Sequence, residues 1–418
     1  MGKQLCIWII NHHACGSGRH ANFAKELARR GHIVTLFSAS FEHNTFKELK
    51  KYSKDQYFIR EQGDGFERIY IKTPPYYGNN IKRLYNQLSF SYQCYKAGKI
   101  GDLNKPDIII GSSVHLFTGL TAYFLSKRKG IPFLFEVRDL WPQTLIDLGA
   151  LKSNSPIALV FKLLEKFLYS KANKIISVLP YGAEYISSIG INEDKVIHIP
   201  NGVDLEWFDK YNKINFLSDE LNQFFNNKTN STIFIYTGAH GVANGLDNVV
   251  KACEIIQKND KCHNIAVLLV GEGPEKEKLI KMAKERSLNN IYFSKGVDKD
   301  KIPFLLIQSN ICISIVKESK VHRYGISMNK IFDYLASGKP ILSATEKRKG
   351  SISQAKCGLE VDPDSPEKLA DGMIYLANLP LEEREKMGKN GRRLAENSYD
   401  FRVLTDKLEK LLNESVEK

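Results

Sequence analysis

The chain has no apolar run longer than six residues; Leu5 to Ile10 and Ile265 to Val270 are the longest. A helix that crosses a membrane needs about 20, so helical membrane proteins are excluded. The first of these runs has no small-residue cleavage site after it and reads as a strand, not an export signal. Cysteine is sparse, with seven in 418 residues and no C-x-x-C pair. A disulfide framework or a thiolate zinc site does not fit that usage, and a reduced, cytoplasmic compartment is the expectation. Proline and glycine, at 14 and 29, are too few for a fibrous or low-complexity chain. No repeat of 20–50 residues is present, which excludes a solenoid. What remains, 43% apolar and 26% charged residues over a length of two or three domains, is a packed globular protein.

Acidic residues are scarce in one half only. Residues 1–203 carry 27 Lys and Arg against 16 Asp and Glu, a balance of +11, whereas residues 204–418 carry 33 against 31. A basic half joined to a near-neutral one suggests that the first half meets something anionic: phosphates, a nucleic acid or a lipid surface. A solubilising surface explains the same numbers.

Short β-rich runs alternate with longer amphipathic stretches. Strands are expected at 4–10, 33–38, 68–72, 107–111, 133–137, 174–178 and 195–199, then at 232–236, 265–270, 291–294, 311–315, 340–343 and 358–361. Helices fall between most of them, for example at 19–30, 116–129, 157–170, 246–257, 329–336 and 366–377. Continuous apolar strands separated by helices predict parallel sheets covered on both faces. The fold class is therefore α/β, with two doubly wound Rossmann-like domains that bind ligands at the carboxyl ends of their strands. The seam is placed in the turn-rich stretch Pro200-Asn201-Gly202-Val203-Asp204, giving domains at 1–203 and 204–398. A polar segment, 209–231, follows with one short helix.

Several strand ends carry chemistry. The first strand runs into His12, His13 and then Gly16-Ser17-Gly18-Arg19 before a helix. A glycine loop there lets backbone N–H groups approach an anion. It is not G-x-G-x-x-G, so a dinucleotide is a poor fit. His12 and His13, as neighbours on an extended strand, would point opposite ways, and no metal-ligand spacing occurs elsewhere; no metal is expected. Arg138 and Asp139 sit at the end of a buried strand, where charges usually face a ligand because burying them unpaired is costly. In the second half Gly238, His240 and Asn244 form another strand-to-helix loop, Gly271 and Gly273 end the next strand, and Gly296-Val297 follows the one after.

The most informative segment is Gly325-Ile326-Ser327-Met328-Asn329-Lys330-Ile331-Phe332-Asp333. A glycine-serine loop enters a helix with Lys330 in its first turn. The helix dipole disfavours a cation there, unless that cation joins the backbone N–H groups in holding a diphosphate. Asp333, on the same face, is placed to accept from ribose hydroxyls.

The chain resembles the retaining glycosyltransferases of family 4, which have the GT-B fold, and within them the bacterial surface-polysaccharide branch that includes the WbuB-type fucosamine transferases. The resemblance covers essentially the whole chain. It rests on Gly16-Ser17-Gly18-Arg19-His20 with Arg30-Gly31-His32-Ile33-Val34-Thr35, on Phe37 to His43 and Lys72 to Tyr76, and on Arg138-Asp139-Leu140-Trp141-Pro142. Pro200 to Asp204 and Asp333 to Pro340 complete it. The departures are specific. The family's E-x7-E element falls on Gly325 and Asp333, and the Arg and Lys of its phosphate clamp fall on Ala239 and Asn244.

The resemblance implies two domains facing across a cleft, with the last helix, from 399 onward, crossing back to the first domain. It implies transfer of a sugar from a nucleotide-sugar donor, expected to be UDP-linked, with retention, no metal and no cofactor. The acceptor would be a lipid-linked sugar on a polyprenyl diphosphate at the inner face of the cytoplasmic membrane, met peripherally, in O-antigen or capsule synthesis. Arg138, Asp139 and Lys330 are the catalytic candidates. The donor would contact Gly16, Ser17, Gly18, Arg19, Gly238, His240, Asn244, Gly271, Gly273, Val297, Gly325, Ser327, Met328, Asn329, Lys330 and Asp333. Ile81, Leu84, Leu88 and Tyr95 share one helical face, which is either a membrane surface or core.

Three rival readings stay open. A UDP-sugar 2-epimerase would use His12, His13, Glu136 and Asp139. A catalytically silent subunit would account for the missing glutamate and cations. A nucleic-acid-binding protein fits the basic pI, but scattered charge and the lack of any recognition motif make nucleic acid an unexpected partner.

Overall fold

A computed structural model describes residues 3–43, 45–78, 80–147, 149–214, 217–259, 264–345 and 350–417. The chain divides into two compact units, Met1–Pro200 with Phe401–Lys418, and Asn201–Asp400.

The strands of the first unit are β1 (Cys6–Ile10), β2 (Ile33–Ala39), β3 (Phe41–Glu42), β4 (Lys47–Glu48), β5 (Phe58–Gly63), β6 (Phe66–Ile71), β7 (Ile108–Ser112), β8 (Phe133–Val137), β9 (Lys174–Ser177) and β10 (Val196–His198). Eight of them form one sheet in the order β10-β9-β8-β7-β1-β2-β6-β5. The central strands are buried at every position, which is why they read as continuous apolar runs. All neighbours are parallel except β5 and β6, an antiparallel hairpin. That hairpin departs from the expected all-parallel sheet. Its turn, Asp64-Gly65, has both residues at positive φ, and β5 carries Arg60, Glu61 and Gln62 on a largely exposed edge. A polar edge strand escapes a search for apolar runs.

One face of this sheet is covered by helix Arg19–Arg29 and by the last helix, Phe401–Val416. Phe401, Leu404, Leu408, Leu411 and Leu412 pack there with Phe23, Ala24 and Leu27. Arg30 adds ion pairs of 2.7 Å to both Asp406 and Glu409. The expected return of the last helix to the first unit is thus built by an apolar stripe at helical spacing. The other face is covered by helices Ile81–Gly98, Leu116–Lys129 and Pro156–Lys171.

The second unit has β11 (Thr232–Thr237), β12 (Ile265–Val270), β13 (Ile291–Ser294), β14 (Ile311–Ile315), β15 (Ile341–Ala344) and β16 (Gly358–Glu360). They form a parallel sheet in the order β13-β12-β11-β14-β15-β16. Alternate residues face two cores: Phe234, Tyr236, Val267 and Leu269 on one side, Ile235, Leu268 and Val270 on the other. The order reverses between β11 and β14, the place where sheets of this kind take their ligands. The polar segment after the seam holds helix Asp219–Asn227, preceded by helix Leu205–Tyr211. Helix Leu381–Leu394 was not expected, since its exposed face is charged and its burial rests on Gly388 and Gly391. No described helix is long and apolar enough to cross a membrane.

Candidate functional site

In the second unit the predicted strand ends converge. Gly238 N–H donates to the carbonyl of Val270 at 3.0 Å, and His240 N–H donates to that of Glu272 at 2.8 Å. These bonds lock the loop after β11 onto the loop after β12. The approach is so close that a methyl group on Gly271 would lie 1.8 Å from the Gly238 carbonyl oxygen, and one on Gly273 would lie 2.5 Å from that of His240. No side chain fits at either position. Lys276 ties in the third strand end, donating to the carbonyls of Gly271 at 2.9 Å and Ser294 at 3.0 Å. Glu272 accepts from the N–H of Gly296 at 3.3 Å, next to Val297.

Lys330 enters this arrangement from below. Its Nζ is buried, has no protein hydrogen-bond partner, and lies 3.8 Å from the centroid of the Tyr236 ring. Tyr236 in turn donates to the Ala239 carbonyl at 2.9 Å. Burial pushes the Lys330 pKa down to about 7. The helix that carries it, Asn329–Ala336, starts without a side-chain cap, so a first-turn cation and uncapped N–H groups occur together. Ser327 is fixed by Asn201, whose backbone N–H reaches the Ser327 hydroxyl at 3.1 Å and whose amide reaches its carbonyl at 2.6 Å. Asp333 lies one turn after Lys330; desolvation raises its pKa to about 6, opposed by Lys299. His240 is fully buried with both ring nitrogens unpartnered, and burial lowers its pKa to about 4, so it is a neutral ring here.

In the first unit the polar cluster centres on Glu136, at the end of β8. Its carboxylate takes Arg19 Nε at 2.7 Å, the Ser112 hydroxyl at 2.6 Å and His20 Nε2 at 2.5 Å. Desolvation pushes its pKa up, but the Arg19 guanidinium and the bond with His20 outweigh that and hold it well below the usual range. Arg19 departs from its expected donor contact. Its guanidinium is buried and spent on Glu136 and on the carbonyls of Ile199 and Pro200, which leaves no fork for a phosphate. His12 and His13 are corrected too: β1 ends at Ile10, both lie in the following turn, and their rings are 4.8 Å apart. His12 Nδ1 meets His115 Nε2 at 3.1 Å, and His13 stacks on His43 at 4.7 Å. Asp139 is exposed at the strand end, and the neighbouring Arg138 opposes the upward shift that surrounding protein gives its carboxyl.

Ser112 and His115 are absent from the expected site, and His20 and His43 enter it only as members of longer motifs. The signal was present in part. Ser112-Ser113-Val114-His115 closes an apolar strand with polar residues, as Arg138-Asp139 does. A cavity of about 420 Å³ between helix Asp219–Asn227 and β13, floored by Leu221, Leu268 and Tyr292, holds none of the predicted residues.

The description Glycosyltransferase Family 4 matches residues 16–207, and Glycosyl transferases group 1 matches residues 218–394. The chain belongs to glycosyltransferase family 4. Among curated relatives, WcaI of Escherichia coli K12, named a colanic acid biosynthesis glycosyl transferase, is 24% identical over 409 residues, covering 95% of this chain and 96% of WcaI. Among solved structures, a sucrose-phosphate synthase from Thermosynechococcus elongatus superposes with a TM-score of 0.73 at 17% identity, over 98% of this chain and 99% of that one. HepE of Anabaena in complex with UDP-glucose gives 0.68 at 12%, over 98% and 100%. These structures place the chain in the GT-B fold.

In this family 4 glycosyltransferase the positions that depart from the family pattern have local explanations. Gly325, where the first glutamate of E-x7-E would fall, has φ 85°, a conformation that strains any other residue. Asn244, at the second clamp position, donates its amide to the carbonyl of Ala239, the first, at 2.9 Å.

Proposed function

We propose that the enzyme transfers a sugar, with retention at the anomeric carbon, from a nucleoside diphosphate sugar, UDP-linked, to a sugar on a polyprenyl diphosphate at the inner face of the membrane. The product is a precursor of a bacterial surface polysaccharide such as an O-antigen or capsule. The observation that carries this reading is the buried, unpartnered Lys330 nitrogen at the switch point of the second sheet. An ammonium stripped of water and hydrogen bonds is costly, and a diphosphate supplies both charge and acceptors. Two glycine loops and an uncapped helix start stand beside it, the combination that binds phosphate elsewhere.

Catalysis here needs stabilisation of charge on the departing diphosphate, and donors held in advance in a dry site do this best. Lys330 and the backbone N–H of Asn329, at the uncapped helix start, supply it; no metal is required by this scheme. Asp333 takes the ribose. Arg138 and Asp139, on the first unit, serve the acceptor side. HepE, which holds UDP-glucose, and WcaI, named for colanic acid synthesis, support the donor class and the product class.

Calorimetry with UDP, GDP, TDP and their sugars, on wild type and Lys330→Ala, tests the reading. UDP and a UDP-sugar are expected to bind wild type at micromolar levels, and the variant at least tenfold more weakly, as for loss of a charged hydrogen bond. The absence of binding by every nucleotide at millimolar concentration sinks it.

A further inference from the structure

The cavity of about 420 Å³ in the second unit meets the strand ends described above only at Ser294. One of its walls is β13, the edge strand of the sheet, with β12 between it and β11. The other wall is helix Asp219–Asn227. That helix is anchored by Leu221, buried in one core with Leu268, and by Ser218, whose hydroxyl accepts from the Leu221 N–H at 3.4 Å. Tyr292 is fixed as well, its hydroxyl donating to the Asn289 carbonyl at 2.7 Å. Both walls therefore stand in place before a ligand arrives, which lowers the cost of binding one.

The lining has a definite chemistry. Phe224 and Tyr292 meet edge to face at 4.9 Å, and Phe293 adds a third ring. Beside them are Glu220, Gln223 and Asn227, which at i, i+3 and i+7 share one side of the helix. A surface helix turns such a polar stripe to open solvent; this one turns it to the cavity. Lys228 Nζ lies 4.9 Å over the Tyr292 ring and offsets the charge of Glu220. The lining as a whole is neutral.

Three rings with two amides, one carboxylate and one ammonium suit a neutral ligand with apolar faces and a hydroxylated rim. A pyranose has that form. Its C–H faces pack on aromatic rings, and the amides of Gln223 and Asn227 offer each hydroxyl both a donor and an acceptor. A nucleoside diphosphate does not suit this cavity, because a carboxylate offsets its lining cation. A purely apolar ligand would strand the polar stripe.

We propose that this cavity is a saccharide-binding site, separate from the donor pocket, for a neutral oligosaccharide. One sugar ring packs on Phe224 and Tyr292, and its hydroxyls meet Glu220, Gln223 and Asn227. Such a site holds a glycan to the enzyme without taking part in the transfer. It goes beyond the transferase reading and does not depend on it.

The test is calorimetry of the full chain with maltotriose, chitotriose and lactose. At least one is expected to bind with a millimolar Kd, equally well with and without saturating UDP. The double variant Gln223→Ala, Asn227→Ala is expected to bind about tenfold more weakly, as for two neutral hydrogen bonds. Its melting temperature should not change, because both side chains are exposed. Absence of binding by all three sugars, or equal binding by the variant, overturns the proposal. So does displacement of the saccharide by UDP, which would make the cavity part of the donor pocket. If a saccharide binds but no nucleotide does, the cavity keeps its assignment and the transferase reading falls.

Discussion

The Lys330 ammonium stands 3.8 Å from the centroid of the Tyr236 ring, with Gly238 closing the space beside it; a methyl group on Gly238 would come within 2.9 Å of the nitrogen. Cation and ring attract when both are desolvated, and among the described residues the ring is the partner the lysine has before a ligand arrives. This geometry keeps the charge aimed at the glycine loops.

Replacing Lys330 by methionine keeps the stem and removes the desolvated charge. The apo protein is expected to melt a few degrees higher, in line with about 1 kcal/mol for a unit of this size, and to lose UDP binding. Native Lys330 has a pKa of about 7 against 10.5 ordinarily, so from pH 7 to 10 the unfolded chain binds more protons and stability rises with pH. That slope should be absent from the variant in melts at pH 6.5 to 9. Binding a diphosphate restores the proton, so UDP affinity should fall as pH rises above 7.

Gly271→Ala sets a methyl group 1.8 Å from the Gly238 carbonyl oxygen. Backbone cannot yield as a flexible side chain can. The loops must part, at about 1–3 kcal/mol, and UDP binding should be lost with them. Urea unfolding and calorimetry check both; wild-type affinity in a folded variant would remove the paired loops from the donor site.

Asp333→Asn separates ribose from phosphate recognition. UDP affinity is expected to fall about tenfold, as for one hydrogen bond to a charged group, whereas pyrophosphate affinity is unchanged. An equal loss for both ligands would mean that Asp333 acts through Lys330.

Glu136→Ala strands Arg19 and His20 without their carboxylate, and a loss of about 3–5 kcal/mol is expected in urea unfolding. The native pKa of Glu136 is held well below 4.5. Its contribution is complete above that ordinary value and fades as pH falls through the lower native one. Wild type should therefore show an acid limb of stability that the variant lacks.

The parallel cores were legible because strands such as 265–270 and 311–315 are buried on both faces and must be apolar throughout. The hairpin edge and helix Leu381–Leu394 were not, since polar edges and glycine-packed helices carry no apolar period. Lys330 stood out at sequence level because a cation in a first helical turn needs a reason. Arg19 was misplaced because a motif gives position in the chain but not the direction of a guanidinium. The link from Arg19 to Glu136 spans 117 residues, and no local pattern reports such a contact. His115 was missed for the same cause, as its partner His12 lies 103 residues away.

The last helix, Phe401–Val416, completes the core of the first unit, and Val203 pairs with Asp400 where the chain leaves and re-enters. In terms of synthesis, the first unit is split by an insertion of its own sister. A ribosome delivers all of Asn201–Asp400 before the first unit owns the leucines that seal Phe23 and Leu27. The later-made half can therefore reach its native state first, and the earlier-made half waits for Phe401–Val416 to follow it.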